Sequence, residues 1–105
     1  MNKIIAIGDC HGELGKLKTL FSKLSFDKED TIIFLGDYID RGDNSKGVVD
    51  FVLSLKDKCN LITLKGNHEQ FFLDAKAEPS GKMAQSWCRN GGIRCLESYL
   101  PIKDW

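Results

Sequence analysis

Carboxylates and histidines stand directly after three apolar segments of this chain. Asp9 and His11 follow the first segment, Asp37 follows the second, and Asn67 and His68 follow the third. Carboxylate and amide oxygens with imidazole nitrogens, and without a thiolate, suit Mn, Fe or Zn in a two-metal site. Such a pair of ions holds a phosphoryl group between them and produces hydroxide near neutral pH. The residue types therefore indicate hydrolysis of a phosphate ester with water as the nucleophile.

Charge is most concentrated in the segment Gly36-Asp37-Tyr38-Ile39-Asp40-Arg41-Gly42. Arginine is scarce, with only Arg41, Arg89 and Arg94 in the chain. Its planar fork matches phosphate through two parallel hydrogen bonds, whereas lysine offers a point charge. A phosphate site is therefore the first hypothesis for this segment. An Asp–Arg ion pair in a tight glycine turn is the structural alternative, since such pairs also cluster charge.

The pair Asp9 and His11 is separated by one residue, Cys10. In an extended segment this spacing points both side chains to one side, so that both reach one cation. A loop aspartate and a histidine capping a helix explain the pair equally well, but its place after a strand favours the metal. Cys10 is interpreted as core filler that points away from the ions. Asp37 is expected to share its oxygens between two cations, and Asn67 to supply a neutral amide oxygen.

Three repeats of strand, loop and helix must position these residues. The apolar segments 3–7, 31–35 and 60–64 predict strands, and each leads to a glycine followed by Asp or Asn, directly in the first two and after Lys65 in the third. The period of roughly thirty residues is that of a βαβ unit, and right-handed crossovers bring the strand ends to one edge. Parallel α/β sheets bind their ligands at that edge. The fold class is therefore predicted as α/β with a parallel sheet.

Apolar periodicity gives the helices that accompany these strands. Helices are predicted over 13–24 and 45–57, with a further apolar helix start at 71–73. The strand 31–35 has no alternation and is expected to be buried on both faces. Beyond residue 74 the pattern weakens to a short helix over 83–88, which the segment 87–92 breaks, then a helix at about 94–99 and a tail containing Pro101 without a further strand.

Composition excludes several classes of partner. The chain has 105 residues, enough for one small domain, with 15 basic and 15 acidic side chains. No general field attracts it to nucleic acid or to an anionic membrane. The first apolar segment is too short for a signal peptide or a membrane span, so a cytoplasmic location is expected. The cysteines, which form no C-x-x-C pair, are expected to be reduced and mostly buried: Cys10, Cys59, Cys88 and Cys95.

Three motifs of the chain resemble a known family. Gly8-Asp9-Cys10-His11-Gly12, the segment 36–42 described above, and Gly66-Asn67-His68-Glu69 are similar in order and spacing to the N-terminal motifs of the calcineurin-like metallophosphoesterases. The Asp-Arg-Gly ending of the second motif, together with Trp87 and Asn90-Gly91-Gly92, resembles one branch of that superfamily. That branch holds bacterial serine/threonine protein phosphatases and symmetrical diadenosine-tetraphosphate hydrolases.

The resemblance implies two divalent metal ions, with Mn favoured and Fe or Zn as alternatives. Asp9, His11 and Asp37 match the ligands of the first ion, and Asp37 and Asn67 match ligands of the second. The implied substrates are a protein carrying phosphoserine or phosphothreonine and a dinucleoside polyphosphate. No nucleic acid or membrane partner is implied.

The resemblance also implies roles around the phosphate. Arg41 matches the arginine that grips it, and His68 matches the general acid that protonates the leaving alkoxide. Asp40 matches the carboxylate that orients and charges that histidine. Asn90 is expected to line the substrate side, and Glu69 to hold the loop rather than to react.

The chain also departs from the family. Its members continue for a comparable length into a second half with two more metal-binding histidines, whereas this chain has only His11 and His68. Residues 1–105 are therefore expected to be the N-terminal portion of the domain, the βαβαβα half of a four-layer αββα sandwich with an incomplete second metal site. An uncovered apolar sheet face and self-association are expected to follow. A truncated, non-catalytic fragment that binds metal or phosphate is the alternative.

Overall fold

The computed structural model describes residues 2–99. The predicted tail around Pro101 lies outside the described residues. The helices and strands are, in chain order, β1 (Ile4–Ile7), α1 (Leu14–Lys23), β2 (Thr31–Phe34), α2 (Ser45–Ser54), a 3-10 turn (Leu55–Asp57), β3 (Asn60–Thr63), α3 (Asn67–Ala77), α4 (Lys82–Trp87), a kinked π-type turn (Cys88–Gly92) and α5 (Ile93–Ser98).

The strands form one parallel sheet in the order β1-β2-β3. Thr31 pairs with Ile4 on one side and with Asn60 on the other, and the register continues without a bulge. Backbone bonds extend both ladders by one residue, from Leu35 N to Ile7 O and from Leu64 N to Phe34 O. The predicted α/β class with a parallel sheet is therefore confirmed.

The main core lies between the sheet and the helices α1 and α2. Ile32 and Phe34 of β2 are fully buried on this face, against Leu17 of α1 and Val48 and Val52 of α2. These helical positions recur at the spacing of one face of a helix, which is why the periodicity of the sequence located both helices.

The opposite face of the sheet is not covered by any element of residues 2–99. It presents Ile4, Leu35, Ile62 and Leu64, with exposed fractions of 74%, 51%, 44% and 47%. The expectation that β2 is buried on both faces is therefore wrong for this chain, since Ile33 is only partly buried and Leu35 is exposed. The expected uncovered apolar face is observed.

A second, smaller core joins the remaining helices. Ala75 of α3, Ala84 and Trp87 of α4 and Cys95 of α5 pack around Ile39, which lies in the loop after β2. This cluster fixes the loop that carries three of the candidate site residues, Asp37, Asp40 and Arg41. Within residues 2–99 no helix is long and apolar enough to cross a membrane.

Helix α3 begins at Asn67, four residues before its predicted apolar start. The Glu69 carboxylate accepts a hydrogen bond from the backbone N–H of Gly66, at 2.9 Å, and so caps the new first turn. Asn67 and His68 consequently lie within the first turn of α3 rather than in the loop before it.

Candidate metal centre and phosphate site

The loops that follow the strands converge at one edge of the sheet. One potential ligand atom each of Asp9, His11 and Asp37 lies within 4.8 Å of the other two. Asp9 and His11 come from the loop after β1 and Asp37 from the loop after β2, so the parallel sheet itself brings them together. Two carboxylates and an imidazole are a donor set that suits a divalent transition metal.

The backbone that places these residues is not extended, contrary to the expectation for the pair Asp9 and His11. Asp9, His11 and Asp37 have φ angles of 40°, 38° and 57°, in the left-handed region. The two loops are joined backbone to backbone, because the His11 N–H donates to the carbonyl of Asp37 at 2.9 Å. A Cβ at Gly42 would overlap the carbonyl oxygen of His11. Tight packing of two turns, rather than strand alternation, therefore directs the side chains.

The ring of His11 is oriented by the second loop. Its Nδ1 lies 2.9 Å from the carbonyl oxygen of Ile39, and because a carbonyl only accepts, Nδ1 carries the proton. Nε2 is then left with a lone pair for a cation. Metal-binding histidines are commonly fixed by such a bond on their other nitrogen. The residues present therefore fit a metal ion.

The start of α3 completes this edge. The backbone N–H of His68 donates to Asp37 Oδ1 at 2.9 Å. Asn67, one residue earlier, is exposed at the first position of the helix. Asp37 is thus tied directly to the helix start that carries Asn67.

Glu69 holds the loop after β2, as expected. Its Oε1 accepts from the backbone N–H of Asp37 at 2.6 Å, and its Oε2 accepts from that of Tyr38 at 2.9 Å. A weaker bond from Ile39 N reaches Oε2 at 3.4 Å. Together with the bond from Gly66, all its contacts described here are to backbone donors. A partly buried carboxylate that accepts this many backbone donors fixes the position of the loop relative to α3.

Asp40 and His68 form a buried pair beside the cluster of Asp9, His11 and Asp37. Asp40 is fully buried, and its Oδ2 accepts from Nδ1 of His68 at 2.8 Å and from the indole Nε1 of Trp87 at 2.6 Å. Burial raises the pKa of Asp40, while the two hydrogen bonds act in the opposite direction. The ring centroids of His68 and His11 are 4.7 Å apart. The pair therefore leaves His68 Nε2 as the nitrogen available to a substrate.

Arg41 is exposed, and it makes no ion pair within residues 2–99. The structural alternative of an Asp–Arg pair in a tight turn is wrong, because the Asp40 carboxylate binds His68 and Trp87 instead. The Arg41 N–H donates to the carbonyl of Gly91 at 3.1 Å, which fixes the backbone and leaves the guanidinium in solvent.

Asn90 is exposed beside Gly91, so it lies near Arg41 along the backbone. Its side-chain Nδ2 donates to the carbonyl of Ser86 at 2.8 Å, within its own turn. The structure therefore places Asn90 near Arg41, and the side-chain amide N–H of Asn90 is already hydrogen-bonded within its own turn.

Sequence reasoning missed the contact between Trp87 and Asp40. The sequence marked Trp87 only as one of the residues that resemble the family, without a role. It lies 47 residues from Asp40. No periodicity or local spacing relates the two, because α4 reaches the loop when the second core packs around Ile39.

Fold and geometry together define a class. A parallel α/β sheet that gathers two carboxylates and a histidine at its carboxyl edge, next to a buried Asp–His pair, is typical of metal-dependent hydrolases. The chain belongs to the calcineurin-like phosphoesterase family, whose family model matches residues 2–104.

Curated relatives are serine/threonine-protein phosphatases by name. The chain is 36% identical over 87 residues to Serine/threonine-protein phosphatase 1 of Salmonella typhimurium, a match that covers 82% of this chain and 37% of the relative. It is 38% identical over 68 residues to Serine/threonine-protein phosphatase PP1-delta of Caenorhabditis elegans, covering 63% of this chain and 22% of the relative. The chain thus spans well under half the length of these relatives.

A solved structure shares the fold. It is a protein serine/threonine phosphatase from Saccharomyces cerevisiae with similarity to human phosphatase PP5, with a TM-score of 0.55 and 23% sequence identity. The match covers 86% of this chain and 35% of that chain. This likeness establishes the fold of the strands and helices described above.

Proposed function

We propose that this chain supplies the metal and phosphate site of a metal-dependent phosphoesterase that hydrolyses phosphate esters with water. The observation that carries the proposal is the approach of the Asp9, His11 and Asp37 ligand atoms to within 4.8 Å, beside the buried Asp40–His68 pair. A phosphoserine or phosphothreonine protein is the favoured substrate, because both curated relatives are serine/threonine-protein phosphatases. A dinucleoside polyphosphate is the alternative within the same chemistry.

Asp9, His11 and Asp37 would hold the first metal ion, and Asp37 and Asn67 would contribute to a second. Mn is favoured for both, with Fe or Zn as alternatives, since the donors are carboxylate, amide and imidazole. When bound, the ions would supply neutralisation of the phosphoryl charge and a water-derived nucleophile near neutral pH. The second site has only an amide and a shared carboxylate from this chain, so it is proposed to be the weaker.

Protein side chains would perform the remaining steps. In its imidazolium form, His68 would donate the Nε2 proton to the leaving oxygen and keep the Nδ1 proton, which needs a ring held from Nδ1. Asp40 provides that hold at Nδ1, over 2.8 Å. The exposed guanidinium of Arg41 would bind the phosphate through its planar fork. Asn90 would line the substrate side of the site near Arg41.

The proposal is tested by release of phosphate from an aryl phosphate, with and without Mn, under conditions with protein in excess. Mn-dependent release is expected from the chain and is expected to be lost in Asp37→Asn. Asp43→Asn is the matched control, because Asp43 lies in the same loop but is exposed and pairs with Arg94. Equal release from Asp37→Asn and the unchanged chain would refute the proposal.

Metal or phosphate binding without turnover is the second candidate function. It is favoured by the ligand inventory, since residues 2–99 bring together one cluster of three ligands and the sequence has only two histidines. Mn binding by calorimetry, combined with no release of phosphate even in a single turnover, would support this candidate over the first.

The status of residues 1–105 as the N-terminal portion of a larger domain, and a cytoplasmic location, stay predictions.

A further inference from the structure

Trp87 makes a polar contact that the proposed mechanism does not yet use. The side chain is 5% exposed, and its indole Nε1 donates to Oδ2 of Asp40 at 2.6 Å. The same oxygen accepts the proton of His68 Nδ1 at 2.8 Å. A single carboxylate oxygen therefore lies between an imidazole and an indole, each of which constrains the position of the other.

The indole is held in place by its own surroundings. Phe72 of α3 meets the ring edge to face, with centroids 5.5 Å apart. A Cβ at Gly92 would overlap ring atoms of Trp87, so that position accommodates the indole only as glycine. Since the ring is fixed by packing, the direction of its N–H bond is fixed as well.

Asp40 has two further neighbours, Ser45 and Cys95. Burial raises the pKa of the Cys95 thiol, and the Asp40 carboxylate contributes to the same shift. Its backbone N–H donates to Oγ of Ser45 at 3.0 Å, and its Oδ1 has no hydrogen-bond partner among the described residues. Removal of the indole N–H would leave His68 as the remaining side-chain donor to Oδ2. A buried carboxylate that loses one of the two donors to Oδ2 is held less firmly, and the imidazole bonded to it is then held less firmly as well.

We propose that Trp87 is a positioning residue whose indole N–H locks the Asp40 carboxylate, and through it the ring of His68, in the orientation needed for proton donation. This inference rests on the proposed function, because it assigns to Trp87 a part in the general-acid step. Trp87 and Gly92 then act together as one structural unit. Gly92 makes room for the ring, and the ring holds Asp40.

A comparison of two substrates separates this role from a merely structural one. Trp87→Phe keeps an aromatic ring and removes the N–H donor. We expect it to slow Mn-dependent hydrolysis of an alkyl phosphate such as phosphoserine by about tenfold or more, since a poor leaving group depends on general acid. Hydrolysis of para-nitrophenyl phosphate, whose leaving group needs little protonation, should change by less than about twofold on the same grounds.

Phe72→Leu is the matched control, because it loosens the packing of Trp87 and leaves the N–H in place. Because the N–H donor remains, its selective effect on the alkyl phosphate should be clearly smaller than that of Trp87→Phe. Equal slowing of both substrates by Trp87→Phe would overturn the proposal. In the background Asp40→Asn, Trp87→Phe should have no further selective effect on the alkyl phosphate, and an undiminished selective effect would also overturn it.

A spectroscopic measurement tests the proposal apart from activity. Nitrogen-15 spectra of labelled histidine distinguish the tautomers of the neutral ring. Neutral His68 should carry its proton on Nδ1 in the unchanged chain and should be a mixture of tautomers in Trp87→Phe. An unchanged His68 pattern would overturn the role of Trp87. Absence of hydrolysis in every variant, with the tautomer change present, would instead defeat the proposed function and leave the positioning contact established.

A second variant covers the case in which Trp87→Phe does not fold. In Asp40→Asn the Trp87 indole proton should move upfield, because a neutral amide replaces a charged acceptor. Trp105 is the only other tryptophan, so its indole resonance serves as an internal reference. An indole resonance that does not move would contradict the contact on which the proposal depends.

Discussion

Residues of the candidate site occupy backbone conformations that side chains disfavour. All the described non-glycine residues with positive φ belong to the two loops of the site: Asp9, His11, Asp37, Asp40 and Arg41. Each such residue costs about 1–3 kcal/mol, which the surrounding bonds must offset. The bond from Gly42 N to the carbonyl of His11, at 2.8 Å, is one of these. The site is therefore built at some expense of stability.

Arg41 gives a direct measure of this strain, because its side chain is exposed and its φ is 72°. Arg41→Gly should give a free energy of unfolding about 1 kcal/mol higher than that of Arg41→Ala, since only glycine adopts this region without a Cβ penalty. Urea denaturation followed by circular dichroism measures the difference. Equal stability of the two variants would mean that the turn relaxes in solution.

The ligand inventory predicts asymmetric metal binding. Asp9, His11 and Asp37 form a complete triad, whereas Asn67 adds one neutral donor to a second site. Calorimetric titration should therefore give about one tightly bound Mn per chain, with the second ion requiring a large excess. Asp9→Ala should abolish the tight site and Asp43→Ala should preserve it. Two equally tight ions would reveal further ligands.

Thiol reactivity tests whether Cys10 lies away from the metals. Burial raises the pKa of Cys10 and of Cys95 to about 11, so both are protonated thiols at neutral pH. Cys88 is only partly buried. In native protein at pH 8, iodoacetamide should label Cys88 first, as read by peptide mass spectrometry, with no change at Cys10 on addition of Mn. Rapid labelling of Cys10 that Mn suppresses would identify it as a ligand.

At the scale of elements, one side chain joins α3 to the loop after β2. The Glu69 carboxylate caps the helix at Gly66 and also accepts the backbone N–H groups of Asp37 and Tyr38. The loop and the helix are therefore positioned by the same group, and the Asp37 ligand depends on a residue of a different element.

Glu69→Gln should lower the free energy of unfolding by about 2 kcal/mol, because the amide NH₂ group cannot accept the hydrogen bonds that one carboxylate oxygen now accepts. Urea denaturation measures the loss. Glu97→Gln is the control, since Glu97 is exposed on α5. If both variants lose the same small amount, the loop does not depend on the Glu69 carboxylate.

At the scale of the whole molecule, the uncovered sheet face is an apolar surface. Its exposed side chains are Ile4 of β1, Ile62 of β3, and Leu35 and Leu64, which directly follow β2 and β3. A contiguous apolar area of this kind favours association, because burying it removes apolar surface from water.

We expect the 105-residue chain to self-associate through this face. Ile62→Lys should shift sedimentation toward monomer, because a buried lysine opposes the association. Leu53→Lys is the matched control, since Leu53 is 59% exposed on α2, away from the sheet face. A stable monomer for the unchanged chain at high concentration would contradict the expectation.

The sequence by itself determined the parallel α/β fold, and it singled out residues that the structure gathers at one edge. Strands can be predicted from apolar segments, and crossovers between parallel strands are right-handed. Asp9, Asp37 and Asn67 could therefore be placed at strand ends from the sequence. Apolar residues at helical spacing likewise identified the inward face of α2 through Val48 and Val52.

Only the tertiary structure decided how those residues are held. The left-handed conformations of Asp9 and His11 arise where two loops pack backbone to backbone, and strand alternation does not foresee such packing. The early start of α3 depends on the Glu69 carboxylate meeting a distant loop. The bond from Trp87 to Asp40 spans 47 residues and requires the second core to form. Contacts between elements depend on how those elements pack, and local sequence patterns carry no direct record of that packing.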